Sequence, residues 1–352
     1  MIKHFDVYRK KIEQYLNRFL LSKGKELGQA NQWGIDVTKR LFAFSTKGKL
    51  LRGSLLLFSG LMFDKETEKP ALEIASAYEL IHSSLLIHDD IMDRDTQRRG
   101  MPSVFYQYKN RIEDENGIDP YHTGVSLGIC AGDLAIFLSF EILSQAKLDP
   151  LIKQRILHLW SRELSLVGIA QMQDVSFGAS YSEPEEEEIL SLYRYKTARY
   201  TFSIPLISGA ILARQDQSTI NILEKIGEWC GMIFQLKDDE LGLFGDEVKL
   251  GKPVGTDVEE HKKTLIMHYL HSMLKGEDKR RLDTIQKKGH VTASDLEFIR
   301  TAAEKTQVNK RVQRKMLDMK KKTEGLISKL DVKDEYKHTL FDLLGYSLSR
   351  EW

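Results

Sequence analysis

The sequence predicts an all-α protein, and three observations carry that prediction. Apolar residues recur at three- and four-residue spacing along nearly the whole chain, the period of a helix with one buried face. Alternating apolar–polar runs, which would mark half-buried strands, are few. Only seven prolines occur in 352 residues, so long helices can run uninterrupted. The chain shows no internal repeat and no low-complexity linker, and a single domain spanning residues 1–352 is expected.

In chain order, Lys49-Leu50-Leu51-Arg52 sets two cations three residues apart on one helical face. Pro70 opens a helical stretch that runs to about residue 95, with Ile74, Tyr78, Ile81 and Leu85 in its apolar stripe. Residues 106–122, rich in Asn, Asp and Gly, read as an irregular connection. Helical runs follow at 124–147 and 151–177, separated by Asp149-Pro150. Ser182 is the expected N-cap of the next helix, so the acids at 185–188 form a helix start that suits the dipole. Residues 242–256 hold four glycines and a proline and read as a loop. The helical pattern resumes at Glu259. In the tail, Lys310, Arg311, Arg314, Lys315, Lys320, Lys321 and Lys322 alternate with Val312, Met316 and Met319, the pattern of a solvated helix face.

Composition narrows the function. With 52 basic and 51 acidic residues the net charge is +1, which argues against attraction of the whole surface to nucleic acid or to an anionic membrane. The two cysteines, Cys130 and Cys230, match no zinc or redox spacing and are expected to be buried free thiols in a reducing compartment. The N-terminus has no apolar run of signal-peptide length, and no stretch is expected to reach the ~20 apolar residues of a membrane span. A cytoplasmic protein is expected.

Two acid-rich segments stand out. The first is Asp89-Asp90-Ile91-Met92-Asp93, followed by Arg98-Arg99-Gly100; the second is Gln235-Leu236-Lys237-Asp238-Asp239. Acids this dense in apolar helices repel one another unless a cation neutralises them. Asp89 and Asp93 share a face roughly 6 Å apart along the axis, with His82 on the same stripe. Hard cations such as Mg²⁺ take carboxylate oxygens, keep some water and share phosphate oxygens. Gln235 projects to the side of Asp238 and Asp239. Arginine forks match phosphate, and Lys252 lies on a glycine-containing loop that can approach one closely. Lys262 and Lys263 head the next helix, and Tyr193-Arg194-Tyr195-Lys196-Thr197 interleaves aromatic and basic residues. Divalent metal and a diphosphate are the ligands this set suits.

In order along the chain these pieces resemble the trans-prenyltransferases, the chain-elongating isoprenyl diphosphate synthases. Asp89 to Asp93 is similar to that family's first aspartate-rich motif, with Arg98-Arg99-Gly100 trailing it. Asp238-Asp239 after Phe234-Gln235 is similar to the second. Lys196-Thr197, Gly251-Lys252 and Gly255-Thr256-Asp257 match as well. There are departures. Leu50 stands where an arginine is common, Gly242 replaces the third aspartate of the second motif, Ala170-Gln171-Met172-Gln173-Asp174 replaces Gly-Gln-x-x-Asp, and 106–122 is longer than the usual connection.

The resemblance implies an isoprenoid synthase-type helical bundle around a deep central cavity, a homodimer, and a geranylgeranyl diphosphate synthase-like reaction between isopentenyl diphosphate and an allylic diphosphate (dimethylallyl, geranyl or farnesyl). By that analogy Asp89, Asp93 and Asp238 bind three Mg²⁺ ions directly, with Asp90 and Asp239 acting partly through water. Arg98, Lys196, Lys252 and Lys262 hold the allylic diphosphate, and Lys49, Arg52, His82 and Arg99 hold isopentenyl diphosphate. Gln235, Lys196 and the Thr197 carbonyl face the developing carbocation. The growing tail runs beside the first acidic helix past Leu85 and Ser84, where fifteen-carbon synthases carry an aromatic plug, toward Ile81, Leu80 and Ala77. Each five-carbon unit buried contributes up to about 4 kcal/mol, so a floor must stop growth. A twenty-carbon product is expected, with longer products and then C15 as alternatives. The rivals are a terpene cyclase, whose second motif differs, and a non-catalytic subunit, which usually loses an acidic motif.

Overall fold

The computed structural model describes residues 5–245, 254–288 and 290–350. They form helices almost throughout: α1 (Phe5–Leu27), α2 (Trp33–Thr46), α3 (Leu51–Phe63), α4 (Glu68–Met92), α5 (Val104–Asp114), α6 (Pro120–Gln145), α7 (Pro150–Gly178), α8 (Glu186–Leu192), α9 (Ile204–Leu212), α10 (Gln217–Phe244), α11 (Thr256–Glu259), α12 (Leu265–Met273), α13 (Gly276–Gln286), α14 (Ala293–Thr306), α15 (Val308–Lys329) and α16 (Asp334–Ser349). A π-helical segment, Tyr193–Ser203, joins α8 to α9. Two-residue strands β1 (Gln97–Arg98) and β2 (Met101–Pro102) pair as a hairpin. The all-α class is as the sequence predicts.

The chain clusters into two compact units. The first holds the residues up to Ile156 together with Pro205–Gln215, and the second holds Leu157–Ile204 and the chain from Asp216 onward. In the first unit α4 is buried almost all round between Ile74 and Ser84. It packs on α3 and α6. Close approach to α6 depends on small residues one turn apart. A Cβ on Gly128 would sit 2.9 Å from Ile91 Cδ1, and one on Gly132 would strike the His88 ring. Pro120 starts α6 at a position where its missing N–H costs nothing, and Asp119 caps the end by accepting from His122 N at 3.2 Å.

In the second unit Arg199 binds α7, the π segment and α10 together. It is buried, meets both oxygens of Glu163 at 2.7 Å, and reaches Glu224 at 2.7 Å. Gly227 and Gly231 of α10 let the π-segment backbone come within side-chain distance; a Cβ on Gly227 would lie 2.6 Å from Ser203 Cα. On α15, Val312 and Met316 are buried while Lys310, Arg314 and Lys321 are exposed, as the pattern predicts.

Four expectations need correction. Residues 106–122 are not irregular: most lie in α5, whose Val104, Phe105 and Tyr108 are buried and whose neighbour is α6. The polar composition hid a short amphipathic helix. Ser182 does not cap α8; Glu185 does, in a reciprocal box with Glu188, while Ser182 bonds Ser180. Lys49 lies before α3, because Leu50 adopts a left-handed conformation (φ 48°) and separates it from the helix of Arg52. Cys130 is exposed; Cys230 is buried, and burial pushes its thiol up to about 12. By length and composition α6 could also cross a membrane. Here it is a bundle helix packed on α4 and α5.

Candidate active site

In the first unit the acidic motif forms the last turn of α4. Asp93 is its C-terminal cap, its N–H donating to Asp89 O at 2.8 Å, so Asp89 and Asp93 do stand one turn apart. Arg94 then turns left-handed (φ 58°) and releases the chain into the hairpin. Arg99 and Gly100 occupy its turn with φ 55° and 72°, the conformation a tight two-residue hairpin needs. That turn sends Arg98 and Arg99 to different neighbours. Arg98 meets Asp90 at 2.5 Å and Asp95 at 2.9 Å and lies 3.9 Å from Asp89. Asp90 is fully buried, and burial pushes its carboxyl up to about 7 against the pull of Arg98. Its Oδ2 has no hydrogen-bond partner among the described residues.

Arg99 enters a second cluster. Its guanidinium reaches His82 Nε2 at 3.3 Å and donates to Phe44 O at 3.2 Å, while Arg52 reaches the same imidazole nitrogen at 3.0 Å. Gly48 makes room: a Cβ there would lie 2.6 Å from the Arg99 guanidinium. Burial, reinforced by Arg52, Arg99 and Arg98, pushes His82 well below the usual imidazole range. His82 is therefore neutral, with Nε2 accepting and Nδ1 carrying the proton. The buried Glu79 accepts from Gly53 N at 2.7 Å, and burial raises its pKa against the pull of Arg52 and Arg99. The sequence reading missed Glu79; an acid three residues before His82 in an apolar helix was the available signal.

Further down α4, Ser84, Leu80 and Ala77 are fully buried, Ile81 nearly so and Leu85 half-buried. Ser84 Oγ has no hydrogen-bond partner among the described residues, so nothing polar accounts for its small side chain.

In the second unit the expected residues form a hydrogen-bonded chain. Thr197 Oγ1 donates to Gln235 Oε1 at 2.8 Å, and Gln235 Nε2 donates to Asp239 Oδ1 at 2.8 Å. The Tyr193 hydroxyl donates to Asp239 Oδ2 and accepts from Leu265 N at 2.9 Å. Asp239 is buried, which pushes its carboxyl up to about 8, with Asp257 and Asp238 adding repulsion and Tyr193 and Gln235 opposing. Asp238 is more open and pairs with Arg350 at 2.5 Å, whose guanidinium stacks 3.7 Å over Phe234. No sequence signal linked positions 112 residues apart. Lys196 pairs with Asp174, Lys262 with Glu260 at 2.6 Å, and Lys263 with Glu183 at 2.9 Å. At Gly242, where the family's third aspartate stands, a Cβ would strike Asp257 Oδ2. Lys252 lies outside the described residues.

Among the described residues no three His, Cys, Asp or Glu side chains already form a closed metal cage. The donor set nevertheless suits Mg²⁺, which takes one or two carboxylates and completes its shell with water and phosphate. Asp90 Oδ2, which has no hydrogen-bond partner among the described residues, is an oxygen of the kind such an ion takes.

The family model for polyprenyl synthetase matches residues 38–303, and the chain belongs to that family. It is 36% identical over 236 residues to a short chain isoprenyl diphosphate synthase of Methanocaldococcus jannaschii, covering 67% of this chain and 66% of that one. It is 32% identical over 262 residues to a geranylgeranyl diphosphate synthase of Sulfolobus acidocaldarius, covering 74% and 73%. The crystal structure of a geranylgeranyl pyrophosphate synthase from Corynebacterium glutamicum, complexed with isoprenyl diphosphate and magnesium, superposes with a TM-score of 0.90 at 27% identity over 99% of both chains.

Proposed function

We propose that the chain acts as one prenyltransferase domain, a trans-prenyltransferase that joins isopentenyl diphosphate head-to-tail to an allylic diphosphate. The proposed product is C20 geranylgeranyl diphosphate. The observation that carries this reading is the Arg52–His82–Arg99 cluster. Two guanidinium groups converge on one neutral imidazole beside the buried Glu79 carboxyl. Such crowding of positive charge is costly unless an anion is to be bound there, and a diphosphate fits the paired forks. Lys49, just before α3, completes the proposed isopentenyl diphosphate set.

Asp89, Asp93 and Asp238 are the proposed direct ligands of three Mg²⁺ ions, and Asp90 and Asp239 act partly through water. When bound, Mg²⁺ neutralises the charge that gathers on the leaving diphosphate. Arg98, Lys196, Lys252 and Lys262 hold the same diphosphate and stabilise it more as its carbon–oxygen bond breaks, which lowers the barrier. The allylic fragment becomes a carbocation. Gln235 Oε1, turned by Thr197, and the Thr197 carbonyl offer it oxygen dipoles. The double bond of isopentenyl diphosphate attacks, and a proton leaves to the departing pyrophosphate. The tail passes Leu85 and the small Ser84 toward Ile81, Leu80 and Ala77. A cytoplasmic homodimer is part of the reading.

The test is purified protein with Mg²⁺, isopentenyl diphosphate and radiolabelled geranyl or farnesyl diphosphate, with products separated by chain length. A C20 product is expected. No elongation with geranyl or with farnesyl diphosphate, nor with dimethylallyl diphosphate tested alongside them, would overturn the proposal.

A further inference from the structure

We infer that Tyr193 is a positioning residue, whose phenol fixes Asp239 and ties it to the backbone just beyond the Lys262 loop. This rests on the reading above of Asp238 and Asp239 as metal and diphosphate ligands.

Inside the second unit each polar atom around Asp239 has an identifiable partner. The Tyr193 oxygen accepts from Leu265 N at 2.9 Å, so its own proton is free to point at Asp239 Oδ2, with which it is in contact. The other oxygen of Asp239 takes its proton donor from Gln235 at 2.8 Å. Each oxygen of this buried carboxyl group therefore has one neutral partner, which fixes its orientation. Tyr193 is itself buried, whereas Asp238 is more open and pairs with Arg350. It acts through Asp239.

Three elements meet at this phenol. Tyr193 starts the π segment that carries Lys196 and Thr197. Asp239 lies on α10. Leu265 begins α12, three residues after Lys262 and directly after the helix-capping Thr264. One hydroxyl thus sets the acidic motif against the proposed allylic diphosphate lysines. π-Helical turns are frequent at functional sites, and this one brings a tyrosine into line with a partner 46 residues away. Phenylalanine would fill the same space and leave Leu265 N and Asp239 Oδ2 without their mutual link. Partners of metal-ligating carboxylates commonly govern metal affinity by 10–100-fold on substitution.

The experiment compares the full-length protein with Tyr193→Phe. Mn²⁺ binding in the presence of inorganic pyrophosphate is followed by electron paramagnetic resonance, and steady-state kinetics are run in Mg²⁺. The expected result is Mn²⁺ affinity lowered about tenfold, KM for the allylic primer raised about tenfold, and KM for isopentenyl diphosphate within about twofold of the parent. Asp239→Asn combined with Tyr193→Phe should lose little beyond Asp239→Asn alone. In the unsubstituted protein, hydrogen exchange at the Leu265 amide should slow further when Mg²⁺ and pyrophosphate are added; that arm stands even if Tyr193→Phe folds poorly. Parent-like Mn²⁺ affinity in Tyr193→Phe, additive losses in the double variant, or Leu265 exchange indifferent to Mg²⁺ and pyrophosphate would each overturn the positioning role. A parent protein that neither elongates nor binds Mn²⁺ with pyrophosphate would instead remove the reading of the site itself, and this inference with it.

Discussion

Replacing Arg52 with methionine isolates the anion cluster from the rest of the chemistry. The side chain keeps its apolar stem and loses only the guanidinium that meets His82 Nε2 at 3.0 Å. Arg99 should stay in place, since Phe44 O accepts from it at 3.2 Å and Gly48 leaves its guanidinium room. The backbone at Gly53 remains tied to Glu79 at 2.7 Å. The loss is therefore one charged donor to a bound phosphate, worth about 1.5–3 kcal/mol, or roughly 10–150-fold in affinity. That donor serves isopentenyl diphosphate equally before and during reaction, so the expected change is in KM with kcat largely kept. Steady-state rates with isopentenyl diphosphate varied at saturating allylic primer should show its KM rising by that factor, and the reverse titration should show the allylic KM unchanged. Arg52→Lys should recover only part of the loss, because a point charge lacks the planar fork. Equal loss for both substrates, or an unchanged KM for isopentenyl diphosphate, would refute the assignment of this cluster to that substrate.

Ser84→Phe should shorten the main product from C20 to C15 with turnover retained, read by chromatography of the dephosphorylated products; an unaltered product profile means that the tail does not pass Ser84. Asp238→Asn should raise the Mg²⁺ concentration for half-maximal rate and lower kcat about a hundredfold or more, the scale of losing one transition-state contact; parent-like Mg²⁺ dependence would exclude a metal role. Asp295 is held down to about 2 by Lys288 and Thr292, so its contribution to stability is present above the ordinary carboxylate pKa and is lost as pH falls from about 4 to about 2. Asp295→Asn, which also breaks the capping box of α14, should cost about 1 kcal/mol near neutral pH and flatten that acid limb, measured by denaturant titration across pH.

The helices were legible where burial and period agreed. Ile74, Tyr78 and Ile81 marked α4 because they keep helical spacing through a segment that is core, and Asp149-Pro150 marked the break before α7 because proline fixes that boundary. α5 was hidden because only Val104, Phe105 and Tyr108 of it are buried and the rest is polar, so composition resembled a loop. The positions of Lys49 and Ser182 depended on single backbone choices, a left-handed Leu50 and a capping Glu185, that propensity does not fix. The site divides in the same way. Spacing alone put Asp89 beside Asp93 and Gln235 beside Asp239, because a helix brings residues three and four apart together. It could not foresee that Arg98 and Arg99, adjacent in sequence, would part company: the hairpin turn at Arg99-Gly100 sends one to Asp90 and the other to His82. Nor could it find Arg350 on Asp238 or the contact between Tyr193 and Asp239, since both join residues from different helices. Local chemistry was thus readable from local spacing. The groups that orient the acids came from the tertiary fold, which also determines whether those acids stay ionised and ready for a metal.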